Sequence, residues 1–288
     1  MIAHAEQGYR EAVERDVPFV FVNEMILQEN EKREKNRLRI KQAINNREFR
    51  LYFQFIVDAR TEEICGGEAL SRWQHPEYGL LSPGQYIEMM EDASTISEHD
   101  FIVFEKVCQV LERWQKEGWK EFYLSCNFSR LSLSSEAFSE RIRSVAEKYR
   151  FPRERLMLEI TEDSIEKSRE VACRNIEACK QYGFQIALDD FGKGSSSVFD
   201  LCEYPIDVVK MDKYILNNLE SGNRVELIRG IVELAHCLKK KVSCEGIENE
   251  AQKRILQQAN CDYLQGYYFS RPCPVGEAYR ILKEKAKR

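Results

Sequence analysis

Eight polar residues recur in one kind of place along this chain: Glu68, Asn127, Glu159, Asp189 with Asp190, Lys210, Glu245 and Gln265 each stand at or near the end of a short β-rich run. If those runs are the strands of an α/β barrel, their C-terminal ends build its mouth, where such folds carry their active sites. Four or five carboxylates gathered there without a counter-charge would each cost several kcal/mol, because like charges in a low dielectric repel and lose hydration. Lys210 supplies one positive charge, so a divalent cation is the simplest complement. Oxygen donors without His or thiolate favour Mg²⁺ or Mn²⁺ over zinc, and Asn127 fits as a neutral carbonyl ligand. Two such ions side by side suit in-line displacement at phosphorus, which makes a phosphodiester the natural substrate class. A single Glu at a strand end is more often a solvated rim residue or a salt-bridge partner. The repetition on strand after strand is what sets this group apart.

The Asp189-Asp190 pair adds a geometric condition. Neighbouring residues of a strand point to opposite faces unless the strand has ended. Gly192 and Gly194 follow closely, and the expectation is that the strand stops here, so that the loop FGKGSSS turns both carboxylates toward metal.

The elements that must position these residues are legible in the pattern from Phe49 onward, where short β-rich runs alternate with longer helical stretches, the signature of βα units and a parallel sheet. The predicted strands begin at Leu51, Ile64, Phe122, Arg155, Phe184, Asp207, Lys241 and Asp262. Eight strands predict a (β/α)8 TIM-like barrel. The link from Ala59 to Glu63 is too short for a crossover helix, so the first strand should run antiparallel to the second. In the stretch SEHDFIVFEKVCQVLERWQKEG, Phe101, Phe104, Val107, Leu111 and Trp114 fall at helical spacing, with Ser97 as a candidate cap. Further helices are expected at Glu136–Tyr149, Ser168–Tyr182, Arg224–Lys239 and Glu250–Gln258. Upstream, residues 1–27 read as helix then strand, too little for a domain. Residues 28–45 are almost wholly charged or amide, with Leu38, Ile40, Ala43 and Ile44 as the apolar positions, and read as a solvated connecting helix; the barrel domain is expected over 46–288.

Composition removes several function classes. Of the 288 residues, 43% are hydrophobic and 32% charged, an ordinary globular balance with ample material for a core. The net charge of −5 argues against sequence-independent binding to bulk nucleic acid, which needs a basic surface. No apolar run approaches the roughly 20 residues of a bilayer span, and the N-terminus lacks a secretory pattern, so a cytosolic chain is expected. The ten cysteines are scattered without a CxxC pair; they read as reduced, with Cys126 and Cys244 in apolar runs as small buried hydrophobes.

From about Asn46 to the C-terminus the chain resembles an EAL-domain cyclic di-GMP phosphodiesterase. The naming motif stands as Glu68-Ala69-Leu70 with Arg72 after it, inside GGEALSRWQHPEYGLLSP. Matching segments are Asn127-Phe128-Ser129, Glu159-Ile160-Thr161-Glu162, Asp189-Asp190-Phe191-Gly192, Lys210-Met211-Asp212, Glu245-Gly246-Ile247-Glu248 and Gln265-Gly266-Tyr267, followed by FSRP at Phe269 to Pro272. Three letters alone are weak, but seven motifs in order at barrel spacing are specific. The resemblance implies that Glu68, Asn127, Glu159 and Asp189 ligate metal, that Asp190 binds the second ion, and that Glu245 is a metal-linked or general-base carboxylate. It further implies that Lys210 orients the attacking water and that Gln265 supports the site. Gln54, Leu70, Arg72, Asp212 and Gln265 would contact substrate, Glu162 would anchor the loop after Asp190, and Glu248 would support the site from outside. Two Mg²⁺ or Mn²⁺ ions, a homodimer, and an upstream GGDEF or sensory domain come with the family. The first 27 residues are similar to the last helix and strand of a GGDEF domain.

The chain departs from the family in the loop after the Asp pair. There it has Lys193 and Ser195 where active members usually carry threonine and tyrosine, and Phe55 stands where proline is common. Three readings follow. One is hydrolysis of cyclic di-GMP to linear pGpG. Another is a barrel that captures cyclic di-GMP or a protein partner without useful turnover, although no metal carboxylate has been lost. The third keeps the metal barrel and changes the phosphodiester.

Overall fold

The computed structural model describes residues 24–285, apart from 167, 193–197 and 217–221. The segment resembling a GGDEF remnant falls largely in residues 1–23, and Lys193 and Ser195 in 193–197, so both lie outside the described residues.

All eight predicted strands are present, and they close on one another. The elements in order are α1 (Glu24–Asn45), β1 (Phe49–Asp58), β2 (Ile64–His75), β3 (Gly79–Leu81), α2 (Ile87–Asp92), α3 (Ile96–Lys116), β4 (Tyr123–Asn127), α4 (Arg130–Leu133), α5 (Phe138–Ala146) and β5 (Leu156–Thr161). Then come α6 (Glu162–Glu166), α7 (Arg169–Gln181), β6 (Gln185–Phe191), α8 (Val198–Glu203), β7 (Val208–Met211), α9 (Gly222–Cys237), β8 (Lys241–Cys244), α10 (Glu250–Gln258), β9 (Tyr263–Gln265), β10 (Cys273–Pro274) and α11 (Val275–Lys285). The sheet runs β1-β9-β8-β7-β6-β5-β4-β2, and the β1–β2 pairing seals it, with β3 and β10 as added edges. As the short link requires, β1 is antiparallel to β2, and also to β9, while β2 and β4 through β9 run parallel to one another.

Alternation sorts the strand side chains. Leu51, Phe53, Phe55 and Val57 of β1 are buried with the helices' apolar faces, including Phe104, Val107, Leu111 and Trp114 of α3. Ile56 belongs instead to a small cluster inside the barrel with Tyr123, Met157, Ala187 and Val208. The same alternation therefore turns Gln54 and the even-numbered residues above it toward the interior and the mouth.

Three expectations need correction. The N-cap of α3 is Thr95, so Ser97 lies in the first helical turn and caps nothing. The end of α1 is not solvated: Ile40 and Ala43 are fully buried against Phe49, Trp73, Tyr86, Met90 and Ile96, because three apolar residues at i, i+3 and i+4 make one sticky face. Glu48 clasps this joint, accepting from Arg39 Nη2 (2.6 Å), Trp73 Nε1 (2.8 Å) and Asn46 Nδ2 (3.2 Å). Finally, β6 does not stop at Asp189. It runs to Phe191, which pairs with Met211, and the ladder is irregular between Leu188 and Phe191. Asp190 takes the left-handed conformation there (φ 59°), so a bulge, and not a strand end, breaks the alternation at the Asp pair. The ten cysteines are unpaired; Cys126 and Cys244 are buried as expected, whereas Cys202 and Cys237 are exposed.

Candidate active site

Lys210 is the centre of the barrel mouth. Its side chain is 2% exposed, and Nζ lies 2.5 Å from Glu245 Oε1, 2.8 Å from Glu159 Oε2, 3.3 Å from Asp189 Oδ1 and 3.8 Å from Glu68 Oε2. Four parallel or closing strands (β2, β5, β6 and the end of β8) thus deliver carboxylates to one ammonium on β7. Glu68 is held from two sides, by Asn127 Nδ2 at 2.9 Å and Gln265 Nε2 at 2.6 Å. With its amide N–H on Glu68, Asn127 has Oδ1 left for another partner. Gln265 also reaches Gln54 Oε1 at 3.3 Å, and Gln54 Nε2 donates to the Ser270 carbonyl at 3.1 Å. The sequence-predicted residues Glu68, Asn127, Glu159, Asp189, Lys210, Glu245, Gln265 and Gln54 therefore form one connected group. Asp190 lies beside it on the bulge, its N–H donating to Asp189 Oδ1 at 2.9 Å.

One ammonium does not balance four carboxylates. Burial pushes the Glu159 carboxyl well above the usual range, against the pull of Lys210 and with the push of Glu68, Asp189 and Glu245. Glu245 keeps 27% of its side-chain surface yet is enclosed by the same charges. Burial raises it from 4.5 to about 8, with Lys210 opposing and Asp189 reinforcing the shift. Burial alone would lower the Lys210 ammonium, but the surrounding carboxylates outweigh it and hold Lys210 well above its ordinary value. Both Glu159 oxygens, Glu245 Oε1 and Lys210 Nζ are buried without a hydrogen bond of good alignment, so the contacts to Lys210 are close but poorly directed. Buried acceptors of this kind, all oxygen, suit a hard divalent cation. Among the described residues, however, no three acidic side chains stand ready at ligating positions; they converge on the ammonium.

The remaining predicted residues have distinct surroundings. Leu70 and Arg72 continue β2 on the face that carries Glu68; the Arg72 guanidinium donates to the Ser71 carbonyl (2.8 Å) and sits 5.8 Å over the Tyr52 ring. Asp212 accepts from the Tyr214 N–H at 2.7 Å, which fixes the turn after β7. Glu162 is buried at the start of α6. Glu248 is exposed, in the turn before α10, and is not brought into the Lys210 cluster.

Two supporting groups escaped the sequence reading. Asp100 of α3 is buried and its Oδ2 accepts from the Ser129 N–H (2.8 Å), Ser129 Oγ (2.6 Å) and Ser132 Oγ (2.7 Å), pinning the loop that follows Asn127. Its signal was an acid on the apolar stripe of α3, next to Phe101. Gly266, quoted within a motif but given no role, is the other: a Cβ there would stand 2.1 Å from the Ile247 carbonyl oxygen, so only glycine lets the Gln265 strand end meet the Glu245 turn. A cavity of about 440 Å³ opens beside Asn127, lined by Asp100, Ser129, Arg130, Thr161 and Asp163 among others. A larger one of about 830 Å³ lies at the opposite end, around Cys65, Trp119 and Phe122, away from the ionisable cluster.

This geometry has relatives. The chain is 35% identical over 247 residues to Uncharacterized protein Rv1354c of Mycobacterium tuberculosis, covering 85% of this chain and 40% of that one. It is 30% identical over 236 residues to the bifunctional diguanylate cyclase/cyclic di-GMP phosphodiesterase MucR of Pseudomonas aeruginosa, covering 82% of this chain and 34% of MucR. The chain thus spans well under half the length of these curated relatives. Among solved structures, the PaMucR phosphodiesterase in complex with c-di-GMP superposes with a TM-score of 0.80 at 28% identity, covering 85% of this chain and 99% of that one. The EAL enzyme Bd1971, bound to cAMP and cyclic di-GMP, gives 0.81 at 28% identity, covering 88% of this chain and 69% of that one. The EAL domain model matches residues 37–272, and with every motif carboxylate of the mouth in place, the chain belongs to the EAL domain family.

Proposed function

We propose that this chain hydrolyses cyclic di-GMP to linear pGpG at the Lys210 cluster, with two Mg²⁺ or Mn²⁺ ions. The observation that carries this reading is the convergence of Glu68, Glu159, Asp189 and Glu245 on a single ammonium, an all-oxygen site with more negative charge than it can neutralise itself. The c-di-GMP named with the PaMucR and Bd1971 structures supports the substrate. Glu68, Asn127, Glu159 and Asp189 would hold one ion, Asp190 the second, with Glu245 linked to either. Bound there, the ions would neutralise the phosphoryl oxygens and lower the pKa of the attacking water. Lys210 then holds the water in line, and Glu245 stands 2.5 Å from that ammonium, placed to take the proton. Gln265 and Gln54 keep Glu68 oriented from below. Arg72, Leu70 and Asp212 are assigned to the substrate, Glu162 to the loop after Asp190, and Glu248 to outer support. A homodimer, an upstream GGDEF or sensory domain and a cytosolic location belong to the same reading; among the described residues, no helix is long and apolar enough to cross a membrane.

A receptor that binds cyclic di-GMP without turnover is the second reading, favoured by carboxylates that close on Lys210 and not on a ready-made cation site. Incubating the protein with cyclic di-GMP and Mg²⁺ or Mn²⁺, beside a Glu68→Ala variant, and resolving nucleotides by chromatography separates the two. Formation of pGpG by wild type and a loss of at least about 1000-fold in the variant, roughly 4 kcal/mol of transition-state stabilisation, are expected. Binding without product in wild type would leave the receptor.

A further inference from the structure

The β1–β2 ribbon rises beyond the barrel as a ladder of directly opposed pairs: Gln54 with Glu68, then Tyr52 with Leu70, then Arg50 with Arg72. Successive even residues share a face, and the odd residues Leu51, Phe53, Ala69, Ser71 and Trp73 are buried on the other. All three pairs therefore look toward the mouth. The lowest belongs to the carboxylate cluster, the middle one is an apolar shelf, and the top one sets two arginines directly opposite each other.

Like charges directly opposite across a ribbon are unfavourable unless something anionic joins them. Among the described residues no carboxylate forms an ion pair with either arginine; Arg72 donates to the Ser71 carbonyl and lies over Tyr52, and Arg50 is exposed. Lys106 and Arg47 add positive charge beside Arg50. Lys106, whose ammonium donates to the Phe49 carbonyl at 2.8 Å, is held below its ordinary value by burial and by Arg50 and Arg47. Four residues of strand, about 13 Å, separate the Arg50–Arg72 pair from Gln54–Glu68, and an arginine side chain spans roughly half of that. The two arginines are thus rooted within about one nucleotide's reach of the carboxylates.

We propose that Arg50 is a specificity-determining substrate contact, pairing with Arg72 to clamp the second phosphate, or the guanine edge beside it, of a cyclic dinucleotide whose first phosphodiester lies at the Lys210 cluster. This rests on the phosphodiesterase reading and adds a residue to it. A planar fork suits a phosphate bidentately, and two forks favour a ligand with two anionic groups over one with a single phosphodiester.

The test is steady-state hydrolysis of cyclic di-GMP and of bis(p-nitrophenyl) phosphate, a single-phosphate probe, by wild type, Arg50→Ala and Arg50→Lys. Thermal melts confirm that each variant is folded. For Arg50→Ala, KM for cyclic di-GMP rises roughly tenfold with little change in kcat, the size expected for one lost charge-assisted contact. The ratio of kcat/KM between cyclic di-GMP and the single-phosphate probe falls about as much, and Arg50→Lys recovers part of it. An unchanged KM in a folded Arg50→Ala protein, or an equal loss on both substrates, overturns the assignment of Arg50 while leaving the enzyme. A wild-type protein that neither binds nor cleaves cyclic di-GMP overturns the phosphodiesterase reading itself, and this inference with it.

Discussion

The two ends of the barrel interior are built on opposite principles. At the base, Ile56, Tyr123, Met157, Ala187 and Val208 pack together with Cys65 and Tyr263, and Gly66 leaves the space that the Tyr123 ring occupies. The polar tips there have partners: Cys65 Sγ meets the Ile56 carbonyl at 3.6 Å, and Lys241 Nζ donates to the Tyr263 hydroxyl at 2.7 Å. At the mouth, the same strands deliver four carboxylates to one ammonium and leave both Glu159 oxygens, Glu245 Oε1 and Gln265 Oε1 buried without hydrogen bonds. The base contributes stability; the mouth carries an electrostatic cost that Lys210 offsets only in part and that bound protons or cations would relieve. That division is the one expected of a barrel whose chemistry sits at its C-terminal face.

Removing packing at the base should give the largest change. Tyr123→Ala is expected to lose about 3–5 kcal/mol in denaturant melts, while the folded fraction keeps its affinity for cyclic di-GMP. If the affinity falls with the stability, the two ends are not separable. At the mouth the sign reverses. Glu159→Gln removes a buried carboxylate that Lys210 shares with three others, so the metal-free protein should melt with about 1 kcal/mol greater stability even as hydrolysis is lost. A destabilised variant would mean that the mouth, like the base, is optimised for folding.

A third effect is a dependence on pH. Because Glu245 is raised from 4.5 to about 8 in the folded protein, the folded state holds a proton that the unfolded state has released. Its contribution is complete below the unfolded value and is lost as pH rises through about 8. The melting temperature of chelator-treated protein should therefore fall across that window, and Glu245→Gln should flatten the fall. The base offers no such slope, since burial pushes Tyr123 well above 10. An identical pH profile in Glu245→Gln would remove Glu245 from the account.

Much of this arrangement was legible in the chain. Alternating β-rich runs located every barrel strand, the five-residue link at Ala59–Glu63 foretold the antiparallel β1, and polar residues at strand ends pointed to the mouth. What escaped depends on contacts distant in sequence. Asp100 reads as a blemish on an amphipathic helix until Ser129 and Ser132 fold against it. The docked end of α1 needs Trp73 and Tyr86 to explain Ile40. The bulge at Asp190 could not be read from glycines that lie beyond it, because the strand resumes at Phe191 to pair with Met211.

The sequence alone determined which residues ride at the strand ends, on which face, and with what charge, since these follow from a two-residue alternation and local helical periods. Tertiary structure decided how close they come. Barrel closure brings Glu68, Glu159, Asp189 and Glu245 around Lys210, and the β1–β2 register sets Arg50 opposite Arg72. Both are distances between strands far apart in the chain, and charge interactions that vary with distance and burial have no value until those distances exist.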